Sequence, residues 1–118
     1  MSGTTLETLE QYQAALAAHP RLMLFKHSPI CPTSATAHRE WSAFVSGHPD
    51  VPCFIVDVIE ARPLARGLAE KCGVTHQSPQ ALLFEQGQVS WHASHWDITA
   101  DTLKQAWGAT QQSPTEGA

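Results

Sequence analysis

The chain has 118 residues and a mass of 12.9 kDa, with a formal charge of −4, a pI near 5.9, 42% hydrophobic and 15% charged residues. That length makes one domain, with enough apolar material for a core and too little charge for a disordered chain. The acidic balance, with no basic block, excludes nucleic acid and anionic membrane surfaces as expected partners.

In chain order, Thr4-Thr5 followed by Glu7 reads as a helix start with an acidic first turn. Leu6, Leu9, Leu16 and the neighbouring alanines give that helix an apolar face up to His19, and Pro20 ends it. Leu22 to Phe25 is wholly apolar and predicts a central buried strand. The loop from His27 to Cys31 turns into a helix whose first position suits Pro32, because proline lacks the N–H that would be orphaned there. Ala35, Ala37, Trp41, Phe44 and Val45 carry that helix to a stop at Gly47 and Pro49. Val51 to Val58 predicts a second buried strand, and Pro63 to Cys72 a helix closed by Gly73. Strands Gln80 to Glu85 and Gln88 to Ala93 follow, joined by the Gln86-Gly87 turn. Thr99 caps a last helix through Leu103 and Trp107. Residues 109–118, rich in Thr, Gln, Ser, Pro and Gly, predict a disordered tail after a domain of residues 1–108.

The order α-β-α-β-α-β-β-α predicts an α/β domain of thioredoxin-like layout, a mixed four-stranded sheet flanked by helices. Trp41 and Trp107 fall on core faces of helices, and Trp91 packs against the sheet.

Cys31, Cys53 and Cys72 form no C-x-x-C pair and no disulfide framework. The opening MSGTTLETLE lacks the basic and apolar regions of a signal peptide, and no apolar run is long enough to span a bilayer. The expected location is a reducing cytoplasm.

Cys31 stands after a strand and just before a helix. Unpaired N–H groups and the helix dipole favour negative charge there, and the thiolate is the reactive form of cysteine. In Cys31-Pro32-Thr33-Ser34, serine takes the place of the second cysteine of a dithiol motif. Such a site attacks a disulfide but has no partner within the motif to resolve the mixed disulfide. Thr33 and Ser34 either donate hydrogen bonds to the thiolate from the first helical turn or are ordinary polar residues of that turn. The plainer alternative is a half-buried structural cysteine. Ser78-Pro79 lies between helix and hairpin, where thioredoxin-like folds carry a cis-proline opposite the cysteine. A cis bond there turns the preceding backbone outward to pair with a substrate chain. A trans proline opening an edge strand is the alternative.

Five segments, taken together, resemble one family: Phe25-Lys26-His27-Ser28, Cys31-Pro32-Thr33-Ser34, Glu60-Ala61-Arg62-Pro63, His76-Gln77-Ser78-Pro79-Gln80 and Trp91 through Thr99. The sequence resembles the YtxJ family, the monothiol bacilliredoxins (bacilliredoxin C) of the bacillithiol system. Bacillithiol is a cysteine–glucosamine–malate thiol that some bacteria use in place of glutathione. The resemblance implies a thiol–disulfide oxidoreductase that removes bacillithiol from S-bacillithiolated client proteins. It binds no resident cofactor and uses bacillithiol as thiol co-substrate. Cys31 would be the catalytic nucleophile, supported by Pro32, Thr33, Ser34, Ser78 and Pro79. A second bacillithiol would release the Cys31 mixed disulfide, and a separate flavin-dependent, NADPH-using reductase would recycle bacillithiol disulfide. The two malate carboxylates call for cations, and Lys26, Arg62 and His95, with Trp96 beside it, are the candidate bacillithiol-binding residues.

Other readings rest on other residues. His92 with His95 and Cys72 with His76 are zinc-type ligands without finger spacing, so no metal is expected. A non-catalytic binding or redox-sensing module, a general glutaredoxin-like monothiol reductase, and a two-cysteine cycle of Cys31 with Cys72 are the remaining alternatives. Cys53, inside an apolar strand, reads as an inert small hydrophobe.

Overall fold

The structure, a computed structural model, describes residues 3–116, with side chains described through residue 108. In chain order the elements are β1 (Thr4–Thr5), α1 (Leu9–Ala18), β2 (Arg21–His27), α2 (Pro32–Gly47), β3 (Cys53–Asp57), α3 (Arg62–Cys72), β4 (Gln80–Glu85), β5 (Gln88–Ser94), a 3-10 turn (His95–Asp97) and α4 (Ala100–Glu116). The tail expected at 109–118 lies outside the residues described with side chains.

The sheet order is β1-β3-β2-β4-β5. β1 and β2 run parallel to β3, while β4 is antiparallel to both β2 and β5. The fold is thioredoxin-like, with five strands where four were expected. The correction falls on Thr4-Thr5, which does not start a helix but pairs with Phe54 and Ile55 of β3. Gly3 permits this approach: its φ is +95°, and a Cβ there would lie 2.5 Å from the Cys53 carbonyl oxygen. The true N-cap of α1 is Thr8. Its hydroxyl accepts the Gln11 N–H at 3.1 Å, and Gln11 Oε1 accepts the Thr8 N–H at 3.3 Å.

β2 is buried on both faces, which is why it reads as a continuous apolar run. Its alternation splits the core into two layers. Leu22 and Leu24 pack with Tyr12, Leu64, Leu68 and Phe84 on the side of α1 and α3. Met23 and Phe25 pack with Trp41, Phe44, Leu83 and Leu103 on the side of α2 and α4. Trp41 is fully buried and stacks on Phe25 with ring centroids 5.3 Å apart. Trp91 and Trp107 flank the same layer, and the Arg21 guanidinium lies 3.8 Å over the Trp107 ring. Gly73 closes α3 at a φ of 70°, a left-handed position that suits glycine.

Two side chains cap α4 and tie it to α2. Thr99 Oγ1 accepts the Thr102 N–H at 3.0 Å, and Glu40 Oε1 accepts the Ala100 N–H at 2.9 Å. Each satisfies a donor that the helix itself leaves unpaired. Glu40→Ala is therefore expected to destabilise the fold by about 1 kcal/mol, the usual cost of a lost cap. The expected reading is a lower urea midpoint at unchanged slope.

Candidate active site

The carboxyl end of β2 organises the site. His27 pairs with Asp57 of β3, and Lys26 lies between Val56 of β3 and Gln80 of β4. Beyond His27 the chain loops through residues 28–30. The Cys31 N–H donates to the Ser28 carbonyl at 3.1 Å, and the Cys31 carbonyl accepts the Ala35 N–H at 3.0 Å to open α2. Cys31 is the N-cap of this 16-residue helix, in extended conformation, with Pro32 following at the helix start. Its side chain makes no capping hydrogen bond and is half-buried. A sulfur at this place faces the positive end of the helix dipole.

Ser34 does not support Cys31 in the expected way. It is wholly buried, and its hydroxyl accepts the Ser28 N–H at 2.9 Å and lies 2.8 Å from His27 Nδ1. Among the described residues, no hydrogen bond joins Thr33 or Ser34 to the Cys31 sulfur. Ser34 instead fastens the loop that carries Cys31 to the end of β2. Its position in the helix explains this, since Ser34, Ala37, Trp41 and Phe44 form one buried face of α2.

The Ser78-Pro79 peptide bond is cis. The Lys26–Gln80 register sets Pro79 beside the end of β2, next to the loop of Cys31. The Pro79 carbonyl accepts the His95 N–H at 3.1 Å, so the end of β5 is tied to the same place. His95 takes a positive φ of 54°, and Trp96 follows with 68% of its surface exposed. Ile30, immediately before Cys31, is 83% exposed. The Ser78 hydroxyl is buried with no hydrogen-bond partner among the described residues.

The four expected binding residues separate. Lys26 is 1% exposed and is corrected from an open cation to an internal strut. Strand alternation turns it, with Leu22 and Leu24, toward the α1 and α3 side. Its Nζ donates to Gln80 Oε1 at 2.9 Å, and Gln80 Nε2 donates to the Thr75 carbonyl at 3.1 Å. Burial holds the Lys26 ammonium down at a pKa of about 8, against an opposing pull from Cys72. Arg62, the first residue of α3, lines a cavity of about 280 Å³ with Val58, Ile59, Ala65, Arg66 and His76. His95 lines a different one, of about 490 Å³, with Gln77, Gln80, His92 and Ser94. Trp96 stands exposed beside it.

Two histidines escaped the sequence reading. The His27 and His38 rings lie 4.6 Å apart, and His27 also stacks on Phe25. Burial lowers the pKa of both; the neighbouring His38 lowers His27 further, while Asp57 acts against this. A histidine whose folded pKa is depressed takes up its proton later than in the unfolded chain. Stability is then complete above the unfolded value, about 6.5, and declines as pH falls below it. The melting temperature is expected to drop between pH 7 and pH 5, and His27→Gln with His38→Gln should flatten that slope.

The three cysteines are free. Cys53 is 7% exposed, and burial pushes its thiol up to about 12. Cys72 donates to the Leu68 carbonyl at 2.8 Å and packs in the α1 and α3 layer, across the sheet from the helix that Cys31 opens. Among the described residues, no group of three or more His, Cys, Asp or Glu converges as a metal site, and no helix is long and apolar enough to cross a membrane.

A cysteine at the mouth of the helix after the central strand, with a cis-proline beside it, defines a thioredoxin-fold thiol–disulfide oxidoreductase. Within that class the chain belongs to the monothiol bacilliredoxin family, whose sequence description, monothiol bacilliredoxin BrxC, matches residues 4–103. A solved protein assigned as an oxidoreductase with a thioredoxin fold is 30% identical, with a TM-score of 0.83 over 89% of this chain and 93% of that one. Thioredoxin from Trypanosoma brucei brucei is 16% identical, with a TM-score of 0.76 over 93% of this chain and 91% of that one. Mitochondrial thioredoxin 3 from Saccharomyces cerevisiae is 20% identical, with a TM-score of 0.70 over 89% and 92%. The last two likenesses concern the fold alone.

Proposed function

We propose that this protein removes bacillithiol from S-bacillithiolated proteins by a monothiol route through Cys31. The observation that carries this reading is the motif itself. Cys31, the N-cap residue of α2, has the buried Ser34 hydroxyl in the place of a resolving cysteine. Cys53 and Cys72 are packed elsewhere in the core.

The Cys31 thiolate attacks the bacillithiol sulfur of the client's mixed disulfide. The client sulfur leaves as a thiolate, and Cys31 holds bacillithiol. The thiolate of a second bacillithiol attacks the bound bacillithiol sulfur, which frees Cys31 as thiolate and yields bacillithiol disulfide. Both steps are exchanges, so no outside oxidant or reductant enters. A separate flavin-dependent reductase using NADPH returns the disulfide to two thiols. The exposed Ile30, the chain neighbour of Cys31, and Trp96, just after β5, supply apolar surface for the client chain, while Arg62 and His95 are exposed basic groups just beyond β3 and β5.

The test is intact-mass analysis of the reduced protein mixed with a bacillithiolated client, and in parallel with a glutathionylated one. A bacillithiol adduct on Cys31, with client thiol appearing in step, is the expected result. An equal glutathione adduct would make the protein a general monothiol reductase. No adduct from either would leave a thioredoxin-like binding or sensing module.

A further inference from the structure

The cavity beside the start of α3 is unusual for so acidic a chain. It measures about 280 Å³ and is lined by Arg62, Arg66 and His76 together with Val58, Ile59 and Ala65. No acidic residue lines it. Arg21–Glu85 is the ion pair among the described residues, so neither Arg62 nor Arg66 is neutralised by a carboxylate there. The buried Lys26 ammonium adds to the same excess of positive charge. Together with Arg66 it opposes protonation of His76, after burial, which is the larger cause. Arg62, Arg66 and His76 are all solvent-exposed, so their positive potential faces any ligand arriving from solvent, and a bound anion complements it.

The geometry selects among anions. Arg62 and Arg66 are four residues apart on α3, so their side chains are neighbours on one face of the helix. Guanidinium groups grip carboxylates through paired N–H donors. Two such groups side by side, with an imidazole across from them on the loop after α3, match a ligand bearing two carboxylates a few carbons apart. The apolar floor of Val58, Ile59 and Ala65 suits the short carbon chain between them. The cavity opens at the carboxyl end of β3, the same end of the sheet as Cys31, because β2 and β3 run parallel in register through His27 and Asp57.

We propose that the cavity of Arg62, Arg66 and His76 is a dicarboxylate site that holds the malyl end of bacillithiol while its sulfur is at Cys31. This rests on the monothiol reading above and deepens it. It moves the recognition of the malyl group away from Lys26 and from the His95 side, and it assigns roles to Arg66 and His76. Arg62 and Arg66 bind the two carboxylates, and His76 donates a hydrogen bond to one of them. Client mixed disulfides whose small thiol has no malyl group lack this anchor, so the site sets which client adducts Cys31 accepts in the first step.

Two measurements test it. The reduced protein is mixed with a client whose thiol is blocked either by bacillithiol or by 2-mercaptoethanol, which has no malyl group, and the rates at which the client thiol is released are compared. In Arg66→Glu the ratio of the two release rates is expected to fall more than tenfold, with partial recovery in Arg66→Lys. An unchanged ratio overturns the proposal. Separately, L-malate is titrated into the reduced wild-type protein and followed by NMR. Shifts are expected at the His76 ring and in the first turn of α3, and their absence, or shifts confined to His92 and His95, overturns it. The second measurement needs no thiol chemistry. If Cys31 accepted no bacillithiol at all, the functional reading would fail, while the malate titration would still decide the cavity.

Discussion

Cys31→Ser is expected to lower release of a bacillithiolated client more than about 10³-fold, because a serine hydroxyl is not ionised near neutral pH and makes a poor nucleophile toward a disulfide. The measurement is the rate at which client thiol appears. Folding is not expected to suffer. The Cys31 side chain makes no capping hydrogen bond and is only half-buried, so little packing is lost. Serine is moreover a better N-cap than cysteine, since its oxygen can accept the orphan N–H groups of the first turn. A melting temperature equal to or above the wild-type value, with turnover gone, marks the loss as chemical. Cys53→Ser should do the reverse. It places a hydroxyl in a site 7% exposed, which costs about 1–3 kcal/mol when no partner is found. Turnover per folded molecule should persist. Cys72→Ser should keep turnover as well, because a serine hydroxyl can also donate to the Leu68 carbonyl. Loss of turnover in that variant would restore a two-cysteine cycle and sink the monothiol one.

Where the sequence was legible, local punctuation made it so. Pro32, Gly47 with Pro49, Gly73 and the Gln86-Gly87 turn each mark an element end by a backbone constraint, and α2, α3, β4 and β5 emerge within a few residues of expectation. β1 has no such mark. It is two residues long, and it exists because Phe54 and Ile55, far along the chain, offer an open strand edge. Thr4 and Thr5 are equally good helix-cap residues, and only tertiary pairing decides between the two.

The site divides in the same way. The cysteine at the helix start and the proline of the cis peptide were readable from their places between elements. Side-chain direction was not. Lys26 ends an apolar strand and looks like a surface cation, yet it shares parity with Leu22 and Leu24 and must enter the same layer. Ser34 looks like a polar group in an exposed first turn, yet it lies on the helix face of Ala37, Trp41 and Phe44. Both errors arose from reading residue type before phase. The meeting of Arg62 and Arg66 was available from their spacing. The arrival of His76 beside them was not, since it depends on how the loop after α3 folds back to β4.

Ser34→Cys is expected to change the reaction's order. Positions three apart across a first helical turn are neighbours, and no capping bond holds the Cys31 side chain away from position 34. In this variant the introduced thiolate attacks the Cys31 sulfur of the mixed disulfide. An internal disulfide forms between Cys31 and the new sulfur, and bacillithiol leaves as thiolate. An intramolecular thiol acts at an effective concentration of at least about 1 mM, so it competes strongly with free bacillithiol. The Cys31–bacillithiol adduct should fall more than tenfold by intact mass, with free bacillithiol appearing in step with client thiol, where the wild type keeps bacillithiol on Cys31. The internal disulfide then accumulates until bacillithiol reduces it. Ser34→Ala separates this gain from the loss of the native hydroxyl. It leaves the Ser28 N–H and His27 Nδ1 without their partner, for a cost of about 1–3 kcal/mol. It should keep the adduct, because it adds no thiol. An adduct at wild-type level in Ser34→Cys would mean that position 34 is out of reach of the Cys31 sulfur. The serine would then be a fastening for the loop only, and the monothiol chemistry would need another cause than the absence of a thiol at that place.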